Sequence, residues 1–158
     1  MTETGQSPTS TPAHGPPLAR VQVAAILIAG MFVVIGILGF IPGVTSGFSG
    51  TGGMGFSGLN SRAELFGLFR VSVLHNGIHL MFGLVGAICS FTPQSARAYL
   101  FVGGTVYLIL GVYGFVIDHD TDANFVPINT AGNWLHLALG AGMIAVGVAT
   151  GRERRWDG

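Results

Sequence analysis

The apolar positions of this chain follow neither the 3.6-residue period of a surface helix nor the alternation of a half-buried strand, but run on in long windows that charge interrupts only at intervals. No charged residue occurs between Arg20 and Arg62, and residues 21–41 are apolar apart from Gln22. At about 1.5 Å per residue, such a run crosses a hydrocarbon core of about 30 Å. Further charge-free windows cover residues 71–96, 98–117 and 123–151, the apolar part of the last beginning near Trp134. The pattern predicts an all-α membrane protein with four transmembrane helices, at residues 21–41, 73–92, 98–117 and 133–150. The first window is longer than the roughly 7 to 15 apolar residues of a signal-peptide core, so it reads as a span.

The second and fourth windows share a pattern. Asn76-Gly77-Ile78-His79-Leu80-Met81-Phe82-Gly83 aligns with Asn133-Trp134-Leu135-His136-Leu137-Ala138-Leu139-Gly140, and both read N-x-x-H-L-x-x-G. The first and third windows correspond as well, through Gly36-Ile37-Leu38-Gly39-Phe40 and Gly111-Val112-Tyr113-Gly114-Phe115. This internal repeat predicts two tandem helical hairpins, related by an axis along the membrane normal because both copies enter from the same side. Small residues recur along every span, among them Ala29, Gly36, Gly83, Gly104, Gly140 and Gly147, and predict close helix contacts.

Charge adds an orientation. Arg20, Arg97, Arg152, Arg154 and Arg155 flank one side of the spans, and Arg62 and Arg70 the other, which predicts a multi-pass plasma-membrane protein with both termini cytoplasmic. A polar leader, residues 1–17, then precedes the four-helix transmembrane domain, residues 18–151, and a basic cytoplasmic tail, residues 152–158, follows it. The leader reads as disordered, and residues 43–58 read as a Gly/Ser-rich outer loop with little to pack. Residues 64–73 mix Leu65, Phe66, Leu68 and Phe69 with Glu64 and Arg70, which suits an outer-interface segment that roofs the bundle. Only 9% of the 158 residues are charged and the formal net charge is zero, so a soluble domain and nucleic-acid binding are both excluded. The single cysteine, Cys89, cannot make an intrachain disulfide or a thiolate-rich metal site.

Three histidines carry the candidate chemistry. His75 and His79 are one helical turn apart, and His136 occupies the repeat position equivalent to His79. Counting from the cytoplasmic arginines, His79 is 18 residues from Arg97 and His136 is 16 from Arg152. These counts correspond to about 27 and 24 Å, so both lie near the outer edge of the hydrocarbon. Ionisable groups at that depth turn inward and find partners. One reading makes them rim contacts, each hydrogen-bonding Asn76, Asn133 or a backbone carbonyl of the neighbouring hairpin. A second makes His75, His79 and His136 a three-ligand site for zinc or copper, closed by His119 and the acids of residues 118–122. In a third, His79 and His136 ligate a haem for which Gly83 and Gly140 leave room, and in a fourth the cluster senses external pH. The acids at 118, 120 and 122 fail as a calcium loop, because Ala123 stands where the turn glycine belongs. No nucleophile and base fall at catalytic spacing, and no phosphate-binding glycine loop occurs, so an enzyme is not indicated.

The stretches His75-Asn76-Gly77-Ile78-His79, Arg97-Ala98-Tyr99-Leu100, Asn124-Phe125-Val126-Pro127-Ile128-Asn129 and Asn133-Trp134-Leu135-His136 together resemble the signature of a small, actinobacteria-rich, four-helix integral membrane family. That family is catalogued as a domain of unknown function. The resemblance implies a membrane location and fold and assigns no activity. The reading that follows is a structural or accessory membrane subunit with no cofactor, embedded in the lipid bilayer and assembled as a homo-oligomer or with other membrane proteins. The alternative is a metal- or haem-binding membrane protein built on the histidine cluster.

Overall fold

A computed structural model describes residues 17–48 and 53–150. The expected leader lies outside the described residues apart from Pro17, and the basic tail lies outside them altogether. Among the described residues there are four α-helices: α1 (Arg20–Leu38), α2 (Val73–Cys89), α3 (Pro93–Val116) and α4 (Thr130–Thr150). Between α1 and α2 lie three short strands, β1 (Thr45–Ser46), β2 (Ala63–Leu65) and β3 (Phe69–Val71). Helices α1, α3 and α4 are long and apolar enough to cross a membrane, while α2, equally apolar, has 17 residues.

Helices α2, α3 and α4 begin where a side chain can satisfy a free amide of the first turn. The Ser72 hydroxyl accepts from the His75 amide at 3.1 Å, and Thr92 accepts from Ser95 at 3.2 Å with Pro93 in the first turn. Asn129 accepts from the Gly132 amide at 3.0 Å and opens α4. Helix α3 therefore starts ahead of its apolar window and carries Arg97 within it, the guanidinium 5.4 Å from the centroid of the Phe101 ring.

Helix α1 lies along α2, and α3 along α4; contacts across these two pairs are sparser. Glycine makes both pairings close. A methyl group on Gly83 of α2 would fall 2.8 Å from the Ala29 carbonyl of α1, and one on Gly140 of α4 would fall 2.6 Å from the Gly104 carbonyl of α3. The outward faces are apolar, with Leu27, Val34, Met81, Leu84, Val102 and Ile109 all exposed. The interior holds Phe32, Leu100 and Met143 together with the fully enclosed amides Asn76 and Asn133. Gln22, the polar residue of the first window, donates to the Ser90 and Phe91 carbonyls at 2.9 and 3.2 Å and so ties the start of α1 to the end of α2.

The connection between α1 and α2 departs from the expected unpacked loop. It forms an antiparallel sheet in the order β1-β2-β3, with Thr45 opposite Leu65 and Ala63 opposite Val71. The β2-β3 turn is centred on Phe66 and Gly67, whose φ angles of 56° and 64° are those of a tight hairpin turn. Ala63, Leu65 and Val71 are buried against Ile35, Leu38, Val44 and Met54. The fold is thus mostly helical with a small sheet: β1 lies in the expected unpacked loop of residues 43–58, while β2 and β3 lie at the segment of residues 64–73 expected to roof the bundle.

Candidate functional site

Ser72 ends the extended segment that follows β3 and starts α2, which puts His75 in the first helical turn and His79 directly below it. Their ring centroids are 4.7 Å apart. Asn129 starts α4 beside them, its side-chain amide also donating to the Leu68 carbonyl of the β2-β3 turn at 2.8 Å. The first turns of α4 then bring His136 to 6.0 Å from His75, centroid to centroid. One ring nitrogen from each of His75, His79 and His136 lies within 4.8 Å of the other two, and all three side chains are buried.

The surroundings hold the rings from several sides. The Nδ1 of His75 lies 3.2 Å from the Pro127 carbonyl, and since a carbonyl only accepts, Nδ1 carries the proton and Nε2 keeps the lone pair. Asn124 fixes that carbonyl: its amide donates to the Ile128 carbonyl at 3.1 Å, and its Oδ1 accepts from the Ile128 amide at 2.9 Å. Phe32 of α1 stacks on His79 at 5.8 Å, and Tyr107 of α3 meets His136 edge-on at 5.3 Å.

Two of the imidazoles have no protein partner for an enclosed nitrogen. The Nδ1 atoms of His79 and His136 are both buried without a hydrogen bond. The amides do not supply one. Asn76 turns away from the cluster toward α1, where a methyl group on Gly39 would collide with its carboxamide, and Asn133 stands in the same relation to Gly114 of α3. Asn76 Oδ1 and both polar atoms of Asn133 are themselves unpartnered. The expected histidine-asparagine contacts are therefore not formed.

Among the described residues, only this trio brings three His, Cys, Asp or Glu ligand atoms so close together. The acids at 118, 120 and 122 do not join it: all three are exposed, and Asp118 Oδ1 accepts from the Asp120 amide at 3.0 Å. His119 contacts the Gly114 carbonyl at 2.7 Å. Nor do Gly83 and Gly140 leave space for a macrocycle, since Val33 and Ala29 fill the first position and Gly104 and Leu108 the second. What opens beside the trio is a pair of cavities. One of about 70 Å³ lies between α1, α4 and the hairpin, bounded by Ile35, Leu65, Phe66, Arg70 and Leu135. The other, of about 180 Å³, lies between α2, α3 and the segment before α4, bounded by Ile78, Tyr107, Leu110, Tyr113 and Phe125. All three histidines border both.

Phe32, Tyr107 and the Pro127 carbonyl are site elements that sequence reasoning missed. The first two had a signal, because each stands four residues before the paired glycines Gly36 and Gly111.

The features above describe a helical protein, rich in segments able to cross a membrane, with three imidazoles converging in its interior. The chain belongs to the family described as domain of unknown function DUF4383, whose model matches residues 22–149. Neither the curated proteins nor the solved structures contain a match to it.

Proposed function

We propose that this chain is an integral membrane protein of four transmembrane helices, built as two tandem hairpins, that binds a transition-metal ion through His75, His79 and His136. One observation carries the metal reading: three ring nitrogens within 4.8 Å of one another, two of the rings having an enclosed Nδ1 with no protein partner. Buried polar atoms in folded proteins are paired, and an orphan calls for a water or an ion. Imidazole nitrogens bind zinc at about 2.0 to 2.1 Å, which needs ligand atoms somewhat closer together than this upper bound, so a bound ion draws the rings inward. Three protein ligands leave a fourth position open.

No carboxylate joins the trio, so the ion's whole charge is added to a low-dielectric interior. Monovalent copper costs least there, and divalent copper follows because it stands highest in the affinity order for nitrogen ligands. Zinc is the next choice. Haem is set aside because the glycine positions that would admit it are filled.

The tandem-hairpin reading draws support from contacts that recur in register. Gly36 and Gly39 face Leu80 and Asn76, as Gly111 and Gly114 face Leu137 and Asn133. A plasma-membrane location with both termini cytoplasmic rests on the arginine distribution. The competing reading, a structural or accessory subunit with the histidines as helix glue, is favoured by the His75 to Pro127 hydrogen bond.

Elemental analysis separates the two. Protein purified in detergent without chelator, and equilibrated with copper or zinc, is expected to carry about one ion per chain, while the folded His79→Gln/His136→Gln variant carries none. A wild-type protein that stays metal-free while folded refutes the metal site and leaves the glue reading. Orientation is tested in a Cys89→Ala background, where an impermeant thiol reagent on intact cells should label Ser46→Cys and spare Gln94→Cys.

A further inference from the structure

The two cavities beside the histidines differ in size and in chemistry. The smaller one has Arg70 in its wall. The larger one, about 180 Å³, has no Asp, Glu, Lys or Arg in its lining, and apart from the three imidazoles its polar side chains are Tyr107 and Tyr113. Tyr113 already donates to the Ala123 carbonyl at 2.7 Å. A cavity of about 150 Å³ lined by apolar side chains is known to hold a benzene-sized guest, so the volume here suits one six-membered ring with a small substituent. Uncharged character of the ring follows from the rest of the lining, which carries no Asp, Glu, Lys or Arg to pair a charged substituent away from the histidines.

The cavity also has an entrance. Its rim includes Tyr113 and Phe125, which are 37% and 57% exposed, and it lies where α2 and α3 pack only sparsely. Ile78 and Leu110 flank the opening on helices that also carry lipid-type outward faces, at Met81 and Ile109. A solute dissolved in the hydrocarbon therefore has a lateral route to the imidazoles without crossing the hairpin roof. His75, His79 and His136 all line the cavity and are themselves buried.

We infer that the larger cavity is a binding site for a small neutral lipophilic ring bearing one oxygen or nitrogen donor, of about the size of phenol, which enters from the bilayer and takes the open coordination position of the metal. The inference rests on the metal reading above for its donor contact and on the cavity alone for the ring. Shape, charge and access select the same class. A ring with a charged substituent away from the metal fails on charge, and a long-chain polar ligand fails on shape.

The test uses full-length protein in detergent, loaded with Co²⁺ as a visible-absorbing stand-in, and 4-fluorophenol as the probe. Two readouts are taken: the Co²⁺ d–d bands, and the ¹⁹F resonance of the probe. Saturable ¹⁹F broadening is expected, together with a shift of the d–d bands at the same midpoint. Leu110→Trp, which fills the larger cavity, should weaken the ¹⁹F effect by about tenfold or more while the bands without probe persist. Leu84→Trp, on the exposed face of α2, should leave the response unchanged. Ile78→Trp fills the larger cavity from α2 and serves if Leu110→Trp fails to fold. Absence of d–d bands in wild-type protein that also takes up neither copper nor zinc overturns the metal reading alone, provided the cavity-dependent ¹⁹F effect remains. Bands without any difference in ¹⁹F response between wild type and the cavity-filling variants overturn the ring site. Binding that leaves the bands unmoved overturns the donor contact.

Discussion

Replacing Gly140 by alanine tests whether close backbone contact holds α3 and α4 together. The added methyl would sit 2.6 Å from the Gly104 carbonyl oxygen and 2.8 Å from the Leu108 amide nitrogen, against ordinary contact from 3.4 Å. Both obstacles are main chain, so no side-chain rotation relieves them and the two helices must separate by about 0.8 Å. Overpacking of a well-packed interior costs about 1 to 3 kcal/mol, and a clash against backbone belongs at the upper end. Gly142, on the same helix, is the control, because a methyl there meets nothing within 4 Å. At that position alanine gains up to about 1 kcal/mol of helix propensity. The same substitution two residues apart should therefore change stability in opposite directions, with a difference of about 2 to 4 kcal/mol. Reversible unfolding in mixed micelles of mild detergent and dodecyl sulfate, followed by far-ultraviolet circular dichroism, measures both. Metal affinity should fall with Gly140→Ala, because parting α3 from α4 shifts His136 against Tyr107, and should hold with Gly142→Ala. Equal stabilities for the two variants would refute the account of the α3-α4 contact.

Three further substitutions probe the elements around the cluster. Asn124→Ala leaves the Ile128 amide without its bond and releases the Pro127 carbonyl, so metal affinity measured by competition with a chelator should drop by about 10- to 100-fold, as it does when an outer partner of a ligating histidine is lost. Asn129→Ala removes both the cap of α4 and the bond to the Leu68 carbonyl, and should cost about 1 to 2 kcal/mol in the same unfolding assay. Gln22→Ala breaks the tie between α1 and the end of α2 and should cost about 1 to 2 kcal/mol. Because Gln22 sits at the opposite end of the helices from the histidines, its metal content should equal that of the wild type.

The helices were legible because charge-free windows are long, although Thr92 and Pro93 start α3 ahead of the expected residue 98. The sheet was not legible. Its strands have two or three residues each, too few for an alternating pattern to register, and β1 sits in a stretch rich in Gly and Ser. What stabilises them is tertiary: Ala63, Leu65 and Val71 pack under residues of α1, a contact that no local window contains. For the site, the four-residue spacing of His75 and His79 and the repeat position of His136 pointed to one place. The asparagines did not join them: each stands three residues before a histidine, a spacing that shares a helix face, yet their carboxamides lie against Gly39 and Gly114 of the partner helices. The Pro127 carbonyl was invisible for another reason, because a backbone acceptor has no side-chain identity to read.

On the tandem-hairpin reading, the contents of the two copies argue about the role of the histidines. Asn76 and Asn133, Gly39 and Gly114, and His79 and His136 recur in register, and such pairs are what duplication of a packing contact produces. His75 breaks the pattern, for the equivalent position in the second copy is Gly132. Phe32 and Tyr107 break it as well, a phenyl ring against His79 in one copy and a phenol against His136 in the other. A twofold pair of imidazoles suffices to join two hairpins, and a third ring adds nothing to that joint except another buried polar group to satisfy. Three imidazoles do suffice as a ligand set that leaves one position open, which two do not. The departure from symmetry therefore lies where a binding site needs it. The larger cavity, which alone of the two has Tyr107 in its wall, lies on the side of α2 and α3. That is the side on which an incoming ligand meets both the extra histidine and Tyr107.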